Sequence, residues 1–157
     1  MRDRAPLLNE VRIADIMHPG ILTCARETPL RTVASMMARY DVHAVVVFGG
    51  ANSDEAQLWG IVSDLDLVGS ALGGDLDQWT AGETATTAIV MVSGRETIDE
   101  AARRMVENAT THLIVVEPDT GQPVGVISTL DIAAALASAQ LRVGPPRAGA
   151  REPAGAA

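Results

Sequence analysis

Residues 25–47, ARETPLRTVASMMARYDVHAVVV, align without a gap on residues 94–116, GRETIDEAARRMVENATTHLIVV. Seven of the 23 columns are identical: Arg26/Arg95, Glu27/Glu96, Thr28/Thr97, Met36/Met105, His43/His112, Val46/Val115 and Val47/Val116, an offset of 69 residues. After a loop shorter by four residues in the second copy, Gly60-Ile-Val-Ser-Asp-Leu-Asp66 matches Gly125-Val-Ile-Ser-Thr-Leu-Asp131. Two motifs in the same order at nearly the same separation indicate two copies of one supersecondary unit of about sixty residues.

Each copy reads alike. A short apolar stretch, Ile21 to Thr23 or Ile89 to Val92, precedes Arg-Glu-Thr and a helical pattern. Thr28 is expected as an N-cap with Pro29 in the first turn, and Thr97-Ile-Asp-Glu100 has the form of a capping box. Leu30, Val33, Met36, Met37 and Tyr40 recur at the spacing of a helix with one buried side. The apolar runs Ala44 to Phe48 and Leu113 to Val116 read as strands, each followed by a turn and a second strand that ends in serine. Last helices are expected over Asp64 to Leu72 and Thr129 to Leu141. The unit is β-α-β-β-α, twice, a mixed α+β form of the α/β class. Helices on one side of a three-stranded sheet leave its other face needing cover, and the second unit supplies it, with approximate two-fold symmetry. The expected division is a flexible arm over 1–10, a first unit over 11–73, a linker over 74–79, a second unit over 80–141 and a disordered Pro/Gly/Ala-rich tail over 142–157.

Composition limits what such a chain can do. Its 157 residues suffice for a core without disulfides, and the single cysteine, Cys24, has no internal partner. All twelve basic residues are Arg, against twenty acidic ones, which excludes a P-loop or Schiff-base lysine. A formal charge of −8 and four aromatic residues, Trp59, Trp79, Tyr40 and Phe48, argue against nucleic acid. No apolar run approaches the ~20 residues of a membrane span, so the expectation is no membrane and a cytoplasmic location. Three histidines and one cysteine, with no close-spaced ligand pair, predict no metal centre. No nucleophile lies near a base in a recognisable motif, so no enzyme is expected, and His18, His43 and His112 lack acidic companions at telling spacing. Met36, Met37, Met91 and Met105 are read as core residues. Arg26 and Arg95 are read either as reaching a phosphate or as pairing on the surface with glutamates.

Two units that each close with Gly-x-x-Ser-x-x-Asp resemble the CBS domain pair, or Bateman module, over roughly residues 11–141. Ile13-Ala-Asp-Ile-Met-His-Pro19 is similar to the short first helix of that family. The resemblance implies clefts for an adenosine-containing ligand, such as AMP, ADP, ATP or another adenosyl compound, with no cofactor required. It places ribose recognition on Asp66 and Asp131 and phosphate proximity on Ser63 and Ser128. Adenine contact falls on Ile21-Leu22 and Val90-Met91, and phosphate-facing basic roles on His43 and His112. The chemistry agrees: a carboxylate accepts from both hydroxyls of a ribose diol, and a helix starting at the serine presents free N–H groups to a phosphate. Ile61, Val62, Val126 and Ile127 are expected as an apolar wall for a purine. Ser-x-x-Asp is also a helix cap, a reading that stays open for both motifs. Asp64 adds a negative charge to the first motif, while Thr129 holds that place in the second, which makes Ser128 and Asp131 the better pair. The resemblance implies a homodimer that passes its signal to an effector protein in trans; the alternative is a ligand-free dimerisation scaffold.

Overall fold

The computed structural model describes residues 8–49 and 57–137, so the expected tail over 142–157 lies outside the described residues, as do residues 138–141 of the expected last helix. A single 3-10 turn at Leu8–Glu10 and another at Ile13–Asp15 lead into β1 (His18–Pro19). The first unit then runs β2 (Thr23–Ala25), α1 (Leu30–Tyr40), β3 (Ala44–Phe48), β4 (Leu58–Ser63) and α2 (Asp64–Gly73). A 3-10 turn at Leu76–Gln78 and the short helix α3 (Ala81–Thr84) connect it to the second unit. That unit runs β5 (Met91–Ser93), α4 (Ile98–Glu107), β6 (His112–Val116), β7 (Pro123–Ser128) and α5 (Thr129–Ala137), so the β-α-β-β-α order is present twice.

The sheets are built alike, β2 parallel to β3 and β5 parallel to β6, with β3–β4 and β6–β7 antiparallel. Strand side chains alternate, which divides the apolar residues into three layers. Val45 and Val47 face a core with Leu30, Val33, Met37, Val62 and Leu67, whereas Leu113 and Val115 face one with Ile98, Ala101, Met105, Ile127 and Ile132. Val46, Ile61 and Ile114 form a third layer, where the two sheets cover each other's bare faces.

The structural repeat has an offset of 68 residues, one less than the identities indicate. Buried Leu30, Val33 and Met37 of α1 correspond to Ile98, Ala101 and Met105 of α4. The left-handed residues Asp41 (φ 51°) and Ala109 (φ 50°) close the two helices in the same way. In the ladders Ala44 opposes Ser63 and His112 opposes Ser128. His43 and His112 are therefore not equivalent: Ala44 matches His112, and Thr111 matches His43.

Each unit's lead-in segment docks on the other unit. Ile13 is fully buried in the second core, its N–H donating to Glu96 O, and β1 adds a fourth strand to the second sheet against β7. Reciprocally, Ala81 is buried in the first core and donates to Thr28 O, while Thr86 bridges Ile61. Such reciprocal contacts are the mark of a two-fold relation. Leu8 packs on the second core and the 74–79 stretch contributes Leu76 to the first, so the expected arm and linker are both partly built into the fold.

Several local expectations shift. Pro29, not Thr28, is the N-cap of α1; Thr97 is the N-cap of α4 but makes no side-chain cap, and the Glu100 carboxylate pairs with Arg103 and Arg104 rather than completing a capping box. The 13–19 segment is a 3-10 turn and a strand in place of a helix. Met37 and Met105 are buried but Met91 is 48% exposed. Arg26 stacks 3.7 Å from the Trp59 ring centroid, and Arg95 lies near Glu117 and Asp119 rather than a neighbouring glutamate. Cys24 is half-buried against the first core, and burial raises its thiol pKa. Among the described residues no helix is long and apolar enough to cross a membrane.

Candidate functional site

The junction between the last strand and the last helix of each unit determines the site. In the second unit the Ser128 N–H and Oγ–H both donate to Asp131 Oδ2, at 2.7 and 3.0 Å, and the Asp131 N–H donates back to Ser128 Oγ. Ser63 and Asp66 repeat this reciprocal cap at the start of α2. The capping reading of Ser-x-x-Asp is thus realised, yet it uses one carboxylate oxygen of the two. Asp131 Oδ1 is turned instead to His18, whose Nδ1 lies 3.0 Å away. His18 therefore has the acidic companion that spacing in sequence does not reveal, because β1 reaches it by pairing with β7.

Asp131 is among the residues that line a small, partly open cavity. Ile21, Leu22, Val42, Ala44 and Val126 supply its apolar lining; His18, Asp41, His43, His112, Ser128 and Asp131 supply the polar groups. A few convergent polar groups in an apolar recess are the usual form of a small-molecule site. Of the expected residues, the cavity gathers Ile21, Leu22, His43, His112, Val126, Ser128 and Asp131. Ser63, Asp66, Ile61, Val90 and Met91 are not among its lining. Val62 and Ile127 are fully buried in the two helix-side cores, so they form no wall for a ligand; strand alternation turns them away from their neighbours Ile61 and Val126. Two other grooves beside the lead-in turns, one by Arg12 and Arg95 and one by Arg26 and Trp59, contain neither motif.

All three histidines of the chain line this one cavity. His43 lies 3.0 Å from Asp64 Oδ2, and His112 lies 2.9 Å from Thr111 Oγ1. Burial holds the His112 imidazole below the ordinary histidine range, helped by His43 and opposed by the carboxylates of Asp64, Asp131 and Asp66. Below about pH 6.5 the unfolded chain takes up a proton that folded His112 resists. Stability contributed at neutral pH is thus lost as pH falls from ~6.5 toward the depressed folded value. Urea titrations at pH 7 and pH 5 are expected to show a smaller acid-induced loss for His112→Gln than for the unaltered chain.

Comparison with known proteins agrees with this architecture. The CBS domain family model matches residues 13–73 and again 81–138. Hypoxic response protein 1 of Mycobacterium tuberculosis is 31% identical over 121 residues, which span 76% of this chain and 80% of that protein. Its crystal structure with two coordinated zinc ions matches with a TM-score of 0.62 at 28% identity, covering 79% of this chain and 98% of the other. The CBS domain pair of protein MJ0100, in complex with 5′-methylthioadenosine and S-adenosyl-L-methionine, matches with a TM-score of 0.70 at 19% identity, covering 82% and 98%. CBSX2 in complex with AMP matches with a TM-score of 0.64 at 21% identity, covering 83% and 98%. With two matched units, a shared sheet layer and a curated relative at this identity, the chain belongs to the CBS domain family.

Proposed function

We propose that the protein is a regulatory module that binds an adenosine-containing ligand, AMP-like in its simplest form, in the Ser128/Asp131 cavity. The observation that carries this reading is the Asp131 carboxylate in the cavity lining, with one oxygen fixed by the helix cap and the other engaged only by the exposed His18 imidazole. That oxygen is the acceptor for the ribose hydroxyls. Ser128 and the N-terminus of α5 lie toward the phosphate, with His43 and His112 as polar neighbours. Ile21, Leu22 and Val126 receive the adenine. Solved relatives of the same fold that hold AMP, S-adenosyl-L-methionine and 5′-methylthioadenosine support the ligand class. Ser63 and Asp66, with Val90 and Met91, would form a second and weaker site under the added charge of Asp64.

Signalling passes to an effector protein in trans, through a homodimer. The exposed side chains Leu65, Val68 and Leu72 lie on one face of α2 at helical spacing and support such an assembly, with Leu130 in the corresponding place on α5. The same stripe favours the second reading, a dimerisation scaffold whose clefts serve no ligand. Among the described residues no three His, Cys, Asp or Glu side chains form a group that could hold a metal ion.

Titration calorimetry with AMP, ADP, ATP and S-adenosyl-L-methionine tests the choice, using Asp131→Asn as the variant. Asparagine keeps a carbonyl oxygen for the cap but turns an amide donor toward the diol. The expected result is heat with the unaltered chain and binding roughly 10- to 100-fold weaker in the variant, the value of hydrogen bonds to a charged acceptor. Silence of all four compounds establishes the scaffold reading instead.

A further inference from the structure

The two motifs are identical in their caps and unequal in what faces them. His18 opposes Val126 in the β1–β7 ladder, and its counterpart, Thr86, bridges Ile61 beside the first motif. His43 likewise has Thr111 as its counterpart. The Asp131 cavity therefore has two histidines where the Asp66 side has threonines. One of them already occupies the carboxylate: His18 Nδ1 lies 3.0 Å from Asp131 Oδ1, with the imidazole 74% exposed and the acid only 9% exposed. Oδ2 already accepts two donors from Ser128. The ribose acceptor and the histidine partner are thus the same oxygen.

We propose that His18 is a built-in competitor for the ligand: a diol-bearing compound enters the cavity by displacing the His18 imidazole from Asp131. The proposal rests on the adenosyl-binding reading above and adds a direct link from the cavity to the swapped lead-in segment. His18 lies at one end of β1, five residues after buried Ile13, so its release loosens the end of a segment whose other end is anchored in the second core. The displaced ring is mostly in solvent, so the free-energy cost of displacing it is small. Asp66 has no imidazole to displace, and its ligand affinity is independent of His18.

The test is AMP titration of the unaltered chain and of His18→Ala, with imidazole proton–nitrogen spectra of the unaltered chain during the same titration. Removal of the competitor is expected to tighten AMP binding roughly three- to tenfold, about one modest hydrogen bond. The His18 ring signals are expected to move on saturation toward those of the Asp131→Asn variant. AMP binding of equal or lower affinity in His18→Ala, or His18 signals that stay in place at saturation, overturns the competitor while leaving the adenosyl reading intact. AMP silence in both proteins overturns the adenosyl reading and the competitor with it.

Discussion

Replacing Ile13 by alanine is expected to destabilise the protein by about 2–5 kcal/mol, the usual cost of truncating a fully buried aliphatic side chain. The loss falls on the unit that Ile13 does not precede. Its side chain is inaccessible to solvent and packs with Val92, Ile98, Leu113 and Ile127, all of the second unit. Hydrogen exchange would locate the damage: amides of β5, β6 and α4 lose protection before those of β3 and α1. The counterpart Ala81 contributes far less apolar volume to the first core, so Ala81→Gly costs less. If Ile13→Ala weakened β3 and α1 first, the reciprocal docking of lead-in segments would be wrong.

Gly125→Ala is expected to force β1 away from β7. A Cβ at this position would lie 2.6 Å from the His18 carbonyl oxygen and 2.9 Å from Met17 Sδ, and a backbone carbonyl held in a ladder has little room to retreat. The cost is about 1–3 kcal/mol for an overpacked site, and Gly20, whose N–H donates to Val124 O, loses its exchange protection. Gly60 is the same device in the first unit, where a Cβ would meet Thr86 O at 2.7 Å. The glycine that opens each Gly-x-x-Ser-x-x-Asp motif is therefore there to admit the other unit's lead-in backbone. Unchanged stability and retained Gly20 protection in Gly125→Ala would refute this account.

The duplication, the unit order and the sheet-to-sheet burial were legible because serine caps, apolar runs and turn residues are local signals. The register was not. Arg26/Arg95, Met36/Met105 and His43/His112 align at 69, whereas burial of Leu30/Ile98, Val33/Ala101 and Met37/Met105 follows 68. Strands buried on both faces, Ala-Val-Val-Val-Phe and His-Leu-Ile-Val-Val, read as continuous apolar runs and allow a one-residue slide without a polar penalty. The same slip made His43 and His112 look like counterparts. Of the residues lining the cavity, Ser128, Asp131, Ile21 and Leu22 were legible as candidates because the motif and the stretch before β2 are local in sequence. His18 could not, because the contact that brings it to Asp131 joins opposite ends of the described chain. Val62 and Ile127 were misassigned because the alternation that buries them is invisible inside an all-apolar stretch.

The crossed docking of lead-in segments also governs the order of folding during synthesis. Arg12 donates to the Arg95 carbonyl, 83 residues downstream, so this contact of the lead-in segment waits until the second unit has begun to emerge. The first half, for its part, waits for Ala81 before its core is closed. The first core can therefore close as soon as Ala81 has emerged, whereas the second core, which takes in Ile13, joins residues from both ends of the described chain.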